Sequence, residues 1–312
     1  MNAVKQINYF TDGDKALLRA ILYFDIFDYP ITAEEAIAFA PSSVNIFSYD
    51  KTLEKLVSEK LIFRLGNFYS IRNNQQLAER RIRGNELAEQ KMKTARRFSN
   101  LISYFPFVRA ILLSGSISKG FMDETSDIDY FIVTEAKRLW IVRTALAIFR
   151  RVFLFNSHKN LCTNYFIDTD NLSIPDQNIF TATELSTLKP MYGQLIIQEF
   201  NSANQWAFSI LPQGKFNETT PQDKKQYIKN RIERVFSFTA MDNLNQWLMK
   251  KSMQFWRRKY AHAVSAPDFE IAFRTKEGVS KSHPRFFQKR ALEQFEIRVQ
   301  NFEAQHGLDL SL

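Results

Sequence analysis

Ser114, Gly115 and Ser116, followed after ten intervening residues by Asp127 and Asp129, carry the residue types and spacing most able to do chemistry in this chain. Glycine permits a sharp turn and lets a ligand approach the backbone closely. The hydroxyls of Ser114 and Ser116 can donate hydrogen bonds to phosphate oxygens. A helix opening at about 117–122 would aim its unpaired N–H groups at an anion seated over the turn. Lys119 would add a positive charge.

Asp127 and Asp129 stand at the start of an apolar run that continues to Val133. Side chains at i and i+2 of a strand share a face. Two carboxylates held side by side against a sheet repel and raise each other's pKa, and a divalent cation removes that conflict. An oxygen-only donor set favours magnesium or manganese over zinc. Read alone, Gly-Ser is an ordinary turn and Asp-x-Asp an ordinary cap. Together, each in strand context, they point to a phosphate–metal site.

The elements that must position these groups follow from periodicity. Ala110 to Leu113 reads as a strand buried on both faces. The expected order is strand 108–113, helix 117–122, strand 128–134, helix 136–155, strand 161–167 and a helix near 182–189. This predicts a small mixed or antiparallel sheet backed by helices.

Over roughly 107–170 the pattern Gly-Ser, about ten residues, then Asp-x-Asp resembles the DNA polymerase beta-type nucleotidyltransferase superfamily. The resemblance implies magnesium- or manganese-dependent transfer of a nucleoside monophosphate from a nucleoside triphosphate to an acceptor hydroxyl, with pyrophosphate leaving. Gly115 and Ser116 would hold the β- and γ-phosphates, with Ser114 and Lys119 beside them. Asp127 and Asp129 would bind the metals. Members of the superfamily often carry a third carboxylate on a later strand. The matching position holds Asn164, and Asp168, four residues on, is the candidate substitute. Without a third acid the protein would bind nucleotide but transfer it slowly or not at all. The alternative is a non-enzymatic, nucleotide-sensing, DNA-binding regulator. Candidate suppliers of positive charge are Arg143 and a polar loop over 276–285 with Lys281, His283 and Arg285; a solvated charge and a plain surface loop explain the same residues.

The chain has 312 residues, room for two or three domains, and its 45% apolar content rules out a disordered chain. Lys plus Arg outnumber Asp plus Glu by 42 to 33, a net charge of +9. That favours anionic partners without choosing among nucleotide, nucleic acid and membrane surface. One cysteine, Cys162, leaves no disulfide framework, and one Cys with four His builds no structural zinc site. The most apolar stretch, 139–155, is interrupted by Arg143, Arg150 and Arg151 and is too short to span a bilayer. The first residues lack a secretory apolar core. These features predict a cytoplasmic protein with no membrane association.

The expected organisation is α+β. Residues 1–73 read as three helices and a hairpin. Thr32 to Glu35 form a capping box, Ser48 caps the third helix, and Gly66-Asn67 makes the hairpin turn. That order resembles a winged helix-turn-helix. The third helix mixes Lys51, Lys55 and Lys60 with Asp50, Glu54 and Glu59, so a packing module is the plainer account. Residues 74–104 form a linking helix rich in Arg and Lys, either a nucleic-acid backbone surface or a solvated connector. The nucleotidyltransferase core spans 105–196 and a helical domain 197–312. There, Met249, Met253, Trp256 and Tyr260 recur at helical spacing and read as core.

Overall fold

The structure is a computed structural model that describes residues 10–45, 49–218, 226–236, 240–260, 275–281 and 287–312. It is an α+β protein built on one mixed sheet. Three helices open it: α1 (Asp12–Asp25), α2 (Ala33–Ala38) and α3 (Tyr49–Ser58). The capping box expected at Thr32 is formed, with Thr32 N donating to Glu35 Oε2 (2.9 Å) and Glu35 N to Thr32 Oγ1 (3.2 Å). A second box, Thr11 with Asp14, starts α1. Ser48 lies outside the described residues. The hairpin β1 (Phe63–Leu65) and β2 (Phe68–Ser70) turns on Gly66, whose φ is +64°. The exposed side of α3 carries Asp50, Lys51 and Glu54, the turn after it Glu59 and Lys60, while Lys55 is paired with Asp14 at 2.8 Å.

The linking helix α4 runs Gln75–Ser103. Two of its arginines act as internal joints rather than as a basic surface. Arg81 is 4% exposed, packs 3.8 Å over the Tyr29 ring, and pairs with Glu35 at 2.7 Å. Arg80 pairs with Asp123 at 2.7 Å and lies over the Phe121 ring. Both cations tie the N-terminal helices to the sheet domain. Between them Gly84 lets the Phe121 ring press onto the helix, where a Cβ would stand 2.2 Å from that ring. Gly84→Ala therefore forces Phe121 out of its seat. A loss of about 2 kcal/mol is expected in denaturant titration, despite alanine's better helix propensity; unchanged or higher stability would show that the ring gives way freely.

The sheet is formed by β3 (Val108–Ser114), β4 (Asp129–Thr134), β5 (Cys162–Asp168), β6 (Lys189–Tyr192), β7 (Thr275–Lys276) and β8 (Val279–Lys281). Its spatial order is β6-β3-β4-β5-β8-β7. β4 and β5 run parallel, and every other neighbouring pair is antiparallel. Ile111, Leu113, Ile128, Tyr130 and Ile132 pack with residues of α4 and of α6 (Leu139–Phe153). Leu112, Phe131 and Val133 pack on the other face, against α7 (Ile179–Thr187), α8 (Gln194–Ala203) and α9 (Ala207–Ile210).

The remaining helices are α10 (Tyr227–Val235), α11 (Ala240–Tyr260) and α12 (Phe287–His306). Of the expected core stripe, Trp256 of α11 is buried with its ring tilted against Trp140 and Met249 beside it, Met253 is not in that cluster, and the Tyr260 side chain lies outside the described residues. Asn245 of α11 accepts from Trp140 N at 2.8 Å, satisfying one of the unpaired donors at the start of α6. Residues beyond 196 also complete the sheet, because the hairpin β7–β8 docks on β5. The last helix returns to the first: Phe295, Val299 and Phe302 share a core with α1, and Arg298 reaches Asp25 at 3.0 Å. Among the described residues no helix is long and apolar enough to cross a membrane.

Candidate functional site

One end of the sheet collects the groups singled out by their chemistry. β3 ends at Ser114, directly opposite Asp129, the first residue of β4. The chain then turns at Gly115, φ +69°, into α5 (Gly115–Ser118), a single turn rather than the longer helix expected over 117–122. It stops at Gly120, φ +70°. An ideal Cβ on Gly115 would stand 2.5 Å from Asp129 Oδ2. The turn thus closes directly on the carboxylate, and only glycine leaves room for it. Ser114 makes no side-chain capping bond, and Ser114 and Ser116 are both partly exposed.

Asp127 and Asp129 flank the fully buried Ile128, which packs under the sheet with Tyr130 and Ile132. By strand alternation both acids belong to the opposite side, the side of Phe131 and Val133. Asp127 precedes the strand and Asp129 opens it. Burial lifts the Asp129 pKa to about 7, and the charges of Asp127 and Glu184 push it the same way, against a hydrogen bond from Cys162 and the charge of Lys119. A carboxylate so placed is short of positive charge.

Asn164 reaches Asp129. Between Tyr130 and Phe131 the register of β5 shifts from Thr163 to Tyr165, leaving Asn164 as the extra residue of a bulge. Such a bulge re-aims a side chain. Asn164 Nδ2 donates to Asp129 Oδ1 at 2.8 Å, and its Oδ1 lies 3.3 Å from Cys162 Sγ. Asn164 thereby fixes one oxygen of Asp129 and leaves the other facing the Gly115 turn.

Asp168 does not join this group, which corrects its assignment as a catalytic acid. It pairs with Thr134 at the far end of β4, five residues from Asp129 or roughly 17 Å along the strand. There Asn171 Nδ2 donates to its Oδ1 (2.7 Å), Lys137 N donates to its Oδ2 (3.3 Å), and the hairpin residue Gly278 packs against it. Asp168 holds the β7–β8 turn to the sheet. Arg143 is also elsewhere, 4.4 Å over the Trp256 ring, with burial holding its pKa down to about 10. Lys281 sits in β8 near Gln288 and Asp176, and His283 and Arg285 lie outside the described residues.

Lys119 is at the site, but engaged. Its Nζ is 3.3 Å from Gly115 O and pairs with Glu184 Oε1 at 2.6 Å. Glu184 went unrecognised in the sequence, although it is the sole charged residue of α7. His158 is likewise new: its Nδ1 lies 3.3 Å from Arg150 Nη1, and it feels the charge of Asp127. Cys162, expected as a plain core residue, is buried but lines this corner, and burial beside Asp129 pushes its thiol pKa above the ordinary range.

Among the described residues no group of three or more His, Cys, Asp and Glu side chains is arranged to hold a metal ion by itself. The twin acids offer two carboxylates on an oxygen-lined, partly open corner. That donor set suits a hard cation whose remaining ligands are water and substrate phosphate. In comparisons with known proteins, no family model, no curated protein and no solved structure matched the chain.

Proposed function

We propose that this corner binds a nucleoside triphosphate with magnesium or manganese and transfers its nucleoside monophosphate to an acceptor hydroxyl. The single observation that carries this is the contact between the Gly115 turn and Asp129: a backbone turn ends within reach of a carboxylate short of positive charge. In the reaction the acceptor oxygen forms a bond to the α-phosphorus. The bond to the bridging oxygen breaks, pyrophosphate leaves, and the hydroxyl proton passes to solvent.

The protein's part is positioning and charge. The N–H groups at Gly115 and Ser116 and the Ser114 and Ser116 hydroxyls take the β- and γ-phosphates. Lys119 turns from Glu184 to the phosphate tail, a small move because its Nζ already lies beside Gly115 O. Asp127 and Asp129 hold the cation, which supplies neutralisation of the phosphate charge. Asn164 orients Asp129. This reading is the one that the resemblance to the polymerase beta-type nucleotidyltransferases implies.

Asn164 favours a second reading, a nucleotide sensor without turnover. It occupies the third-acid position and cannot accept a proton, and Asp168 is too distant to substitute. The mixed charge on α3 gives the DNA-binding part of that alternative no support.

Incubation with each of the four labelled nucleoside triphosphates and magnesium or manganese decides between them. Slow pyrophosphate release is expected from the native chain. Asn164→Asp is expected to raise it by about tenfold or more, by adding a third carboxylate. Nucleotide binding with no release from either protein would establish the sensor.

A further inference from the structure

A cavity of about 800 Å³ opens between α4 and β6 on the other face of the same sheet end. Its volume suits a small organic molecule. Met92 of α4 and Met191 of β6 give it an apolar lining, and Gly120, at the end of the turn that begins at Gly115, forms one rim. Its polar lining mixes donors with the acceptors of Glu89 and Asn217, whose Nδ2 donates to Leu188 O. Lys189 and Arg96 line it, with Glu89 as the single acid. Asn85 lends its carbonyl oxygen to Arg81 Nε at 2.8 Å, which leaves its NH2 group as a donor.

Lys189 is the informative residue. β6 pairs it with Leu113, the residue before Ser114, so its backbone is fixed by the sheet. Its side chain is half-buried, and burial alone pushes its pKa down, with no carboxylate acting against that. Among the described residues no ion pair engages it. Lys119, half-buried at the same end, by contrast has Glu184 as its anion. A cation withdrawn from water without a counter-charge is costly unless a ligand supplies one. Arg96, exposed on the adjacent wall, adds a second positive charge with a planar fork of donors suited to phosphate.

We infer that the cavity between α4 and β6 binds a small molecule with an apolar body and a phosphate group, held by Lys189 and Arg96. The phosphate bridges the two cations and accepts from Asn85, while the body lies against Met92 and Met191. This goes beyond the nucleotidyltransferase reading and does not depend on it, since none of the residues that contact the ligand belongs to the Gly115–Asp129 corner.

Calorimetric titration of the full chain with phenyl phosphate, without divalent cations, tests it, with phenol and benzoate as companions. Phenyl phosphate is expected to bind, and phenol and benzoate to bind at least about tenfold more weakly. Lys189→Gln and Arg96→Gln should each weaken phenyl phosphate by about tenfold, and Asp127→Asn should leave it unchanged. The solvent-exposed Arg96 variant keeps the test valid if Lys189→Gln folds poorly. Native affinity in the Arg96 variant, equal binding of phenol or benzoate, or tighter binding in Asp127→Asn, where a repelling carboxylate is removed, would overturn the assignment. The last would place the ligand at the acid corner instead, whereas failure of pyrophosphate release leaves this result untouched.

Discussion

Asp129→Asn is expected to abolish pyrophosphate release, a loss of at least about 100-fold, while making the metal-free protein more stable at pH 8. The two effects share one cause. In the fold the Asp129 carboxyl titrates at about 7, against an ordinary value of 3.8. Between those values the folded chain keeps a proton that the unfolded chain has already released. Stability therefore falls as pH rises across that interval, and the whole cost of the buried charge is present above it. Asparagine never bears that charge, and its carbonyl oxygen can still accept from Asn164. A gain of about 2 kcal/mol at pH 8, shrinking towards zero near pH 4, is expected from denaturant titrations at several pH values. A stabilising effect of added magnesium on the native chain should vanish in the variant. Asp127→Asn is expected to share the loss of release. A variant that is less stable than the native chain at pH 8 would show Asp129 to be a structural anchor rather than a group awaiting a cation.

Gly115→Ala is the second large effect, and Gly120→Ala is its control. Both glycines have φ near +70°, so both substitutions force an L-residue into the left-handed region at about 1–2 kcal/mol. They differ in what the new methyl meets. At Gly120 nothing lies within 4 Å; at Gly115 the Asp129 carboxylate lies at 2.5 Å. Similar drops in thermal stability are therefore expected, but only Gly115→Ala should lower magnesium–ATP affinity by about tenfold or more. Equal nucleotide affinities in the two variants would detach the turn from the acids.

The central strands and the acid pair were legible because their signals are local. Ala110 to Leu113 and Tyr130 to Val133 are apolar runs, and every one of these residues is buried. Thr32 and Glu35 announced a helix start by type and spacing alone. What the sequence hid is of two kinds. Some strands carry weak patterns: Pro190 sits in β6, which survives because it is an edge strand, and β7–β8 is polar apart from Val279. Other facts depend on partners distant along the chain. Nothing near Arg143 says that Trp256 will cover it, and nothing near Asp168 says that Gly278 will dock there. The bulge that brings Asn164 to Asp129 broke the simple alternation that placed residues 164 and 168 on one face. Glu184 was hidden because its partner Lys119 lies 65 residues away.

The return of α12 to α1 has a consequence for biosynthesis. Phe295, Val299, Phe302 and Leu310 fill the core begun by Ala16 to Phe24, and Lys15 and Arg19 hold the carbonyls of Ser311 and Leu310. On the ribosome α2, α3 and the hairpin can cover part of α1 early, but the side that faces α12 must wait, greasy and uncovered, until residue 310 has emerged. Chaperone protection of the nascent polypeptide would be needed longest at the segment that is made first.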